Sequence, residues 1–290
     1  MSAKVNIRQL LIDLEGMDFK TLEEAELIAL VYEMLEYLGD PDSELREGLI
    51  YPVLVKIINE GILNTEQYVH LLETCMGERH LFFKLGERGD TVFMRSFSAL
   101  LVAALINADV NSHFLTKNDY GAVMEKCIEY IEAEMDTRGH VEGKGWAHAI
   151  AHAADMVLAL VKHPAFETKN FNTILEVIET CLFKEAAYVD AEDKRFILVL
   201  KAMREKGFDD EALGKWIEDI FKKLTNRFQA DGFSYKYHRI MTNVENFMKS
   251  LYFNFKTDRN GLYLRVLLFD NIKALPYTNL RKVSESGHRS

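Results

Sequence analysis

The sequence predicts an all-α protein built from helical hairpins that stack into an α-α superhelix of the HEAT or armadillo type. Apolar residues recur at three- and four-residue spacing along almost the whole chain, as in helices with one buried stripe. Alternation of apolar and polar residues over six or more positions, which a half-buried strand needs, is hard to find. Only 4 Pro and 16 Gly occur in 290 residues, too few for the frequent tight turns of an all-β protein.

Twelve segments carry this helical spacing. The second is typical, with Leu27, Leu30, Val31 and Met34 on one face. Short polar connectors such as 39–43 contain the Gly, Asp and Pro expected where helices stop and start. In order, the predicted helices are 4–15, 21–38, 43–60, 65–77, 90–107, 118–135, 144–162, 168–182, 191–206, 209–228, 238–256 and 260–273.

A repeat is visible in the first turns of alternate helices. A polar residue recurs there at Arg46, Arg95, His148 and Arg195, at intervals of 49, 53 and 47 residues, with Arg265 as a last candidate. Periods of about 40–50 residues with two helices each are typical of HEAT and armadillo solenoids. Because a helical hairpin cannot bury its apolar face alone, we expect one curved, right-handed domain over 1–280 with a disordered tail at 281–290.

Charge and cysteine usage exclude several classes of function. The formal net charge of -10 repels polyanions, so nucleic-acid binding is not expected. Cys75, Cys127 and Cys181 are too far apart for a CxxC motif or a disulfide framework. The first residues do not read as a signal peptide, and the apolar run 98–106 is too short for a membrane span. We therefore expect a cytoplasmic protein without a membrane partner.

The segment 136–155 differs in composition from the rest of the chain. Three glycines fall within seven residues, and an alanine-rich helix is predicted to follow from residue 144. At about 100° per residue, His148, His152 and Asp155 share one face of that helix. Two imidazoles and a carboxylate are typical ligands of a divalent metal ion, the one cofactor that the sequence suggests. Glu142 is the nearest candidate for a general base, and it or His140 could complete the site.

Other interpretations of these residues stay open. His148 fits the arginine position of the repeat, with His152 hydrogen-bonded between helices and Asp155 orienting a histidine. Lys144 and Trp146 follow glycines at the start of the predicted helix, where free amides attract anions and small ligands.

The repeated arginines also allow two interpretations. Arg46 and Arg95 fit a structural ladder in which carboxylates cap helices and hold the arginines of neighbouring repeats. The alternative is an anion-binding row on the concave face of the array. Their apolar surroundings favour the ladder.

Aromatic residues cluster near the end of the chain, where helical spacing favours a core over an exposed recognition surface. They are Phe233, Tyr235, Tyr237, Phe247, Tyr252, Phe253 and Phe255. No HExxH, GxSxG or phosphate-binding glycine motif is present in the sequence.

Two segments carry a resemblance to a known family: 38–46 (LGDPDSELR) and 138–152 (RGHVEGKGWAHAIAH). With them, the chain resembles the bacterial domain-of-unknown-function family DUF2785 over most of its length. The resemblance implies a helical, HEAT-like fold. It supplies no activity, cofactor or catalytic residue to carry over, although the stretch around Trp146, His148, His152 and Asp155 looks like the family's most recognisable part.

The leading functional hypothesis is a scaffold or interaction module that binds a protein or peptide along its concave face. The net acidity favours a basic partner. The alternative is a metal-dependent, hydrolase-like enzyme that uses the His148, His152 and Asp155 face. Because no catalytic motif is present, the sequence favours the first hypothesis without deciding whether the protein is an enzyme.

Overall fold

A computed structural model describes residues 3–14, 16–255 and 261–275 and confirms the all-α prediction within them. The α-helices are α1 (Ala3–Asp13), α2 (Glu24–Glu36), α3 (Tyr51–Asn59), α4 (Thr65–Cys75), α5 (Thr91–Ser112), α6 (Lys117–Ala133), α7 (Ala149–Lys162), α8 (Phe171–Leu182), α9 (Glu192–Glu205), α10 (Asp210–Asp231), α11 (Tyr235–Phe255) and α12 (Leu262–Ala274). Each corresponds to one predicted segment. A π-helix (Glu44–Ile50) and short 3-10 turns (Phe19–Thr21, Thr168–Asn170) lie between them.

The chain divides into two compact units. Unit 1 comprises Met1–Glu167 with Val189–Arg195, and unit 2 comprises Thr168–Tyr188 with Phe196–Ser290. In unit 1, α3 packs on α5 and α5 on α7, while α4 lies against α5 and α6 against α7. Alternate helices of this unit are therefore neighbours. A single domain over 1–280 stays a prediction, and 281–290 lie outside the described residues.

In unit 2, α10, α11 and α12 pack against one another, and α8 lies against α11. The aromatic cluster near the end of the chain is divided between core and surface. Tyr237, Phe247 and Phe255 are buried in the unit. Phe233, Tyr235 and Phe253 are more than half exposed, at 64%, 68% and 63%.

The central helix of unit 1 is α5, and it is apolar around most of its circumference. By length and composition alone it could cross a membrane, but 72% of its most apolar window is buried inside the protein. Its closest packing is against α7, where Ala151 and Ala154 are buried. Small side chains let helix axes approach closely, so these alanines suit α7 to its packing against α5.

Two predicted helices begin five or more residues later than their patterns indicate. The third was predicted over 43–60, but 44–50 is a π-helix, and the α-helix starts at Tyr51. Pro52 has no N–H to donate to residue 48, so the regular hydrogen-bond ladder starts afresh there. The seventh was predicted over 144–162 and begins at Ala149.

A two-stranded hairpin occupies the start of the predicted seventh helix. Strand β1 (His140–Val141) pairs antiparallel with β2 (Gly145–Trp146). Gly143 and Gly145 have φ values of +72° and +78°, which side chains disfavour and tight hairpin turns require. Val141 packs against a small core that includes Phe93 of α5. The glycine cluster therefore makes a β-turn instead of a helix start.

An ion pair between Arg95 and Glu134 is fully buried in unit 1. Both side chains are 0% exposed, and Arg95 donates to the two carboxylate oxygens at 2.6 and 2.9 Å. The guanidinium also donates to the carbonyls of Phe83, Lys84 and Glu87, which lie between α4 and α5. Arg95 on α5 is therefore bonded both to the end of α6 and to the loop between α4 and α5.

Replacement of Glu134 by Gln leaves the buried guanidinium without its counter-charge. We expect Glu134→Gln to lower the free energy of unfolding by about 3–5 kcal/mol, as when one partner of a buried pair is removed. Glu129→Gln, at an exposed position of the same helix, is the control and should change it by less than about 0.5 kcal/mol. Urea denaturation measures both, and equal effects would contradict this account.

Candidate functional site

The hairpin places His148 before α7 and not on its face. His148 is the N-cap residue, with a left-handed backbone at φ 46° and ψ 30°. The prediction that His148, His152 and Asp155 share one helical face is therefore wrong for His148, because the glycine turn delays the helix. The two imidazoles still contact each other, with ring centroids 5.7 Å apart and the planes nearly perpendicular.

His152 is buried, and its hydrogen bonds define its tautomer. Its Nδ1 lies 2.6 Å from the hydroxyl oxygen of Ser96. That hydroxyl donates its one hydrogen to the carbonyl of Ala147, so Nδ1 must be the donor to Ser96. Burial lowers the pKa of His152 to about 3. The ring is therefore neutral, with the hydrogen on Nδ1 and the lone pair on Nε2.

Asp155 is bound by an arginine. Both of its carboxylate oxygens lie 3.0 Å from Nη1 of Arg195. The structure thus brings the two histidines into contact but gives Asp155 a cationic partner of its own. Metal ligation by His148, His152 and Asp155 stays a prediction.

An open cavity of about 390 Å³ borders the histidines. Trp146 is 39% exposed and stacks on His148 at 4.3 Å between centroids, with His140 against its edge at 5.0 Å. Burial lowers the pKa of His148 as well, so both rings favour the neutral form, which accepts hydrogen bonds and binds metal ions. The cavity is lined by Glu47, Tyr51, Phe97, Trp146, His148, His152 and Arg195.

The residues proposed for anion binding already have protein partners. Arg46 is fully buried and donates to the carbonyls of Asp40 and Lys144 and to the carboxylate of Glu47. Arg95 holds Glu134, as described above. Lys144 pairs with Asp90 at 2.7 Å. Anion binding and the structural ladder both stay predictions, and the contacts show only that the two arginines are held by groups of the protein itself.

The arginine partners differ from those that the ladder hypothesis expected. Arg95 pairs with Glu134 at the end of α6, and Arg195 pairs with Asp155 of α7. Asp90, the N-cap residue of α5, makes no capping hydrogen bond with its side chain and pairs with Lys144 instead. Glu142, the candidate base, is exposed at the hairpin turn.

Sequence reasoning missed two carboxylates beside His148. Among the described residues, His148, Asp190 and Glu192 form a group whose potential ligand atoms all lie within 4.8 Å of one another. A Cβ on Gly139 would collide with the carboxylate of Asp190, which accepts a hydrogen bond from the backbone N–H of His140 at 3.0 Å. More than forty residues separate the carboxylates from His148, and Gly139 was the only local signal of this contact.

The low pKa of His152 predicts a dependence of stability on pH. A histidine in an unfolded chain has a pKa of about 6.5. Between about pH 6.5 and pH 3 the unfolded chain therefore binds a proton that folded His152 does not. The free energy of unfolding should fall as the pH falls through this window, by up to about 1.4 kcal/mol per pH unit from this group.

His152→Asn tests this dependence, because its amide can replace the Nδ1 donor to Ser96 without titrating. Urea unfolding at several pH values should show a shallower loss of stability in His152→Asn than in the wild type. His70→Asn, at an exposed position, should keep the wild-type slope. Parallel slopes in all three proteins would mean that His152 is not held neutral.

Comparison with known proteins identifies a family for this chain. Residues 81–253 match the sequence profile of a family described as "Protein of unknown function (DUF2785)". No curated protein and no solved structure matches the chain. The matched region contains α5, the hairpin, both contacting histidines and the start of α9, and it is more than half of the sequence. The chain therefore belongs to the DUF2785 family.

Proposed function

We propose that the chain is an interaction module, an α-solenoid of stacked hairpins that binds another protein or a peptide. The observation that carries this proposal is an apolar face on α12. Leu262, Val266 and Phe269 lie on one side of the helix and are 62%, 52% and 53% exposed. Leu264 and Leu268, on its other side, are buried in unit 2. The helix is therefore apolar on both sides, and its own unit covers one of them.

Neighbouring aromatic rings extend this apolar face. Tyr252 of α11 contacts Phe269, with centroids 6.5 Å apart, and also contacts Phe253, which is 63% exposed. Contiguous apolar patches of this kind mark protein interaction sites, and aromatic residues are enriched in them. Leu262, Val266 and Phe269 have the i, i+4, i+7 spacing that suits the binding of an amphipathic helix from a partner.

Charge and packing support the remaining parts of the proposal. The net charge of -10 favours a partner with basic residues around its apolar contact. The packing of alternate helices α3, α5 and α7 in unit 1 supports stacked hairpins. A cytoplasmic setting fits the three free, buried cysteines.

A metal-dependent hydrolase is a second candidate, supported by the cavity beside two neutral imidazoles. The ion pair between Asp155 and Arg195 and the exposure of Glu142 weigh against the ligand set and base that the sequence suggested. The interaction module remains the better-supported function.

Two aspartates on the apolar face should abolish partner binding without unfolding the protein. In Val266→Asp/Phe269→Asp, charge replaces exposed apolar surface, so we expect the free energy of unfolding to change by about 1 kcal/mol or less. The chain is expressed in cells with a photo-crosslinking amino acid in place of Leu262. With no other substitution, it should crosslink to one partner and give one discrete adduct. The same chain carrying Val266→Asp/Phe269→Asp should give none.

The matched control is Asn226→Asp/Gln229→Asp on α10, which adds the same charges at the same spacing on an exposed polar surface. It should keep the adduct. Light scattering of the purified chain identifies an adduct between two copies. The absence of any adduct, or adducts that survive the double substitution, would contradict the proposal.

A further inference from the structure

The strongest unexplained feature of unit 1 is a buried carboxylate without a counter-charge. Glu192, in the first turn of α9, is 1% exposed. One of its oxygens accepts the backbone N–H of Asp190 at 3.0 Å. In the described part of the chain, no lysine or arginine pairs with it, and Asp190 and Asp193 add negative charge nearby. A buried charge needs a compensating one, or the group takes up a proton.

Asp190 is held beside this carboxylate by a close backbone contact. The absence of a side chain at Gly139 leaves room for its carboxylate, and the N–H of His140 donates to it. The hairpin thus fixes Asp190 from one side while Glu192 accepts its backbone N–H from the other. Both acidic groups are positioned before any ligand arrives.

His148 completes the group with a nitrogen that has no protein partner. Its Nε2 is buried and unbonded, while the ring is hydrogen-bonded to the main chain of Asp190 and stacked on Trp146. Histidines that bind metals commonly have one ring nitrogen held by a carbonyl, which fixes the ring and leaves the other nitrogen free. The hydrogen bond from Asp190 accounts for one carboxylate oxygen of Glu192, but it does not account for the unbonded Nε2 of His148 or for the approach of an imidazole to two carboxylates.

We propose that His148, Asp190 and Glu192 form a binding site for a divalent transition-metal ion. A doubly charged ion balances the two carboxylates. One nitrogen and two oxygen ligands suit Zn²⁺ or Mn²⁺ better than Ca²⁺ or Mg²⁺, which prefer oxygen alone. Arg195 is the nearby positive charge, and its pairing with Asp155 offsets its repulsion of the ion.

Three protein ligands leave coordination positions for water or a small ligand. His148 also lines the cavity of about 390 Å³. The site uses residues of unit 1 only, whereas the proposed partner surface uses residues of unit 2. Each proposal can therefore fail without the other.

Calorimetric titration of the full-length chain with ZnCl₂ and MnCl₂ tests the proposal. The protein is prepared without a histidine tag and stripped of metal by a chelator. We expect one equivalent of at least one of the two ions to bind and to raise the melting temperature, as a ligand specific for the folded state must. Trp146 fluorescence should change at the same stoichiometry, because the indole stacks on His148.

Amide replacements of the carboxylates identify the ligands. Glu192→Gln keeps an oxygen that can accept the N–H of Asp190, and both it and Asp190→Asn should weaken binding by at least about tenfold. His148→Gln gives a third independent test if either variant fails to fold by circular dichroism. Glu142→Gln removes an exposed carboxylate of the hairpin turn and should bind like the wild type.

Asp155→Asn distinguishes this ligand set from the one that the sequence suggested. Because this substitution removes the partner of Arg195 but none of the three ligands, it should weaken binding far less than Glu192→Gln does. Loss of binding in Asp155→Asn with retention in Glu192→Gln would overturn the proposal, and so would the absence of binding of either ion to the wild type. Wild-type affinity in all of Glu192→Gln, Asp190→Asn and His148→Gln would overturn it as well.

Discussion

The burial of two guanidinium groups is the constraint on which unit 1 depends. Arg46 and Arg95 are 0% exposed, and donors of a guanidinium in such a place require acceptors. Arg46 donates a hydrogen bond to the carbonyl of Lys144, 98 residues away, and so joins the π-helix before α3 to the hairpin. Arg95 donates hydrogen bonds to carbonyls of the loop before α5 and to the carboxylate of Glu134 at the end of α6. Arginines on helices therefore hold two non-helical segments in place, the hairpin and the loop before α5.

The position of the histidines follows from that constraint. Because Arg46 holds the hairpin, and the backbone N–H of Trp146 donates to Glu47, the chain enters α7 from a defined direction. His148 then takes a left-handed conformation, and Trp146 stacks on its ring. The cavity beside these rings is therefore a product of the arginine contacts as much as of helix packing.

Helix existence could be predicted from the sequence because each helix buries an apolar stripe that repeats locally. The twelve predicted segments correspond to α1–α12 for this reason. The start of α7 could not be predicted, because alanine and histidine at 147–152 fit a helix equally well wherever it begins. The deciding information was the positive φ of Gly143 and Gly145, which the spacing of glycines only hints at.

The candidate site was predictable in part. The unusual composition of 136–155 singled out His148 and His152, whose rings contact each other in the structure, although the predicted reason, a shared helical face, does not hold for His148. Asp155 is close enough in sequence to be the expected third metal ligand beside His148 and His152. In the structure, however, it pairs with Arg195 of α9. Asp190 and Glu192 come from the same distant segment as Arg195. Periodicity describes one helix at a time, so it contains no information on which distant segment reaches a given face.

The apolar circumference of α5 also matters while the protein is being made. A ribosome completes α5 before α6, the hairpin and α7, so the surface that α7 later covers is open to water in the nascent chain. Exposed apolar surface of this kind is what chaperones bind and what drives premature association. The amount of folded protein in the cell should therefore depend on how soon after α5 the ribosome synthesises α7.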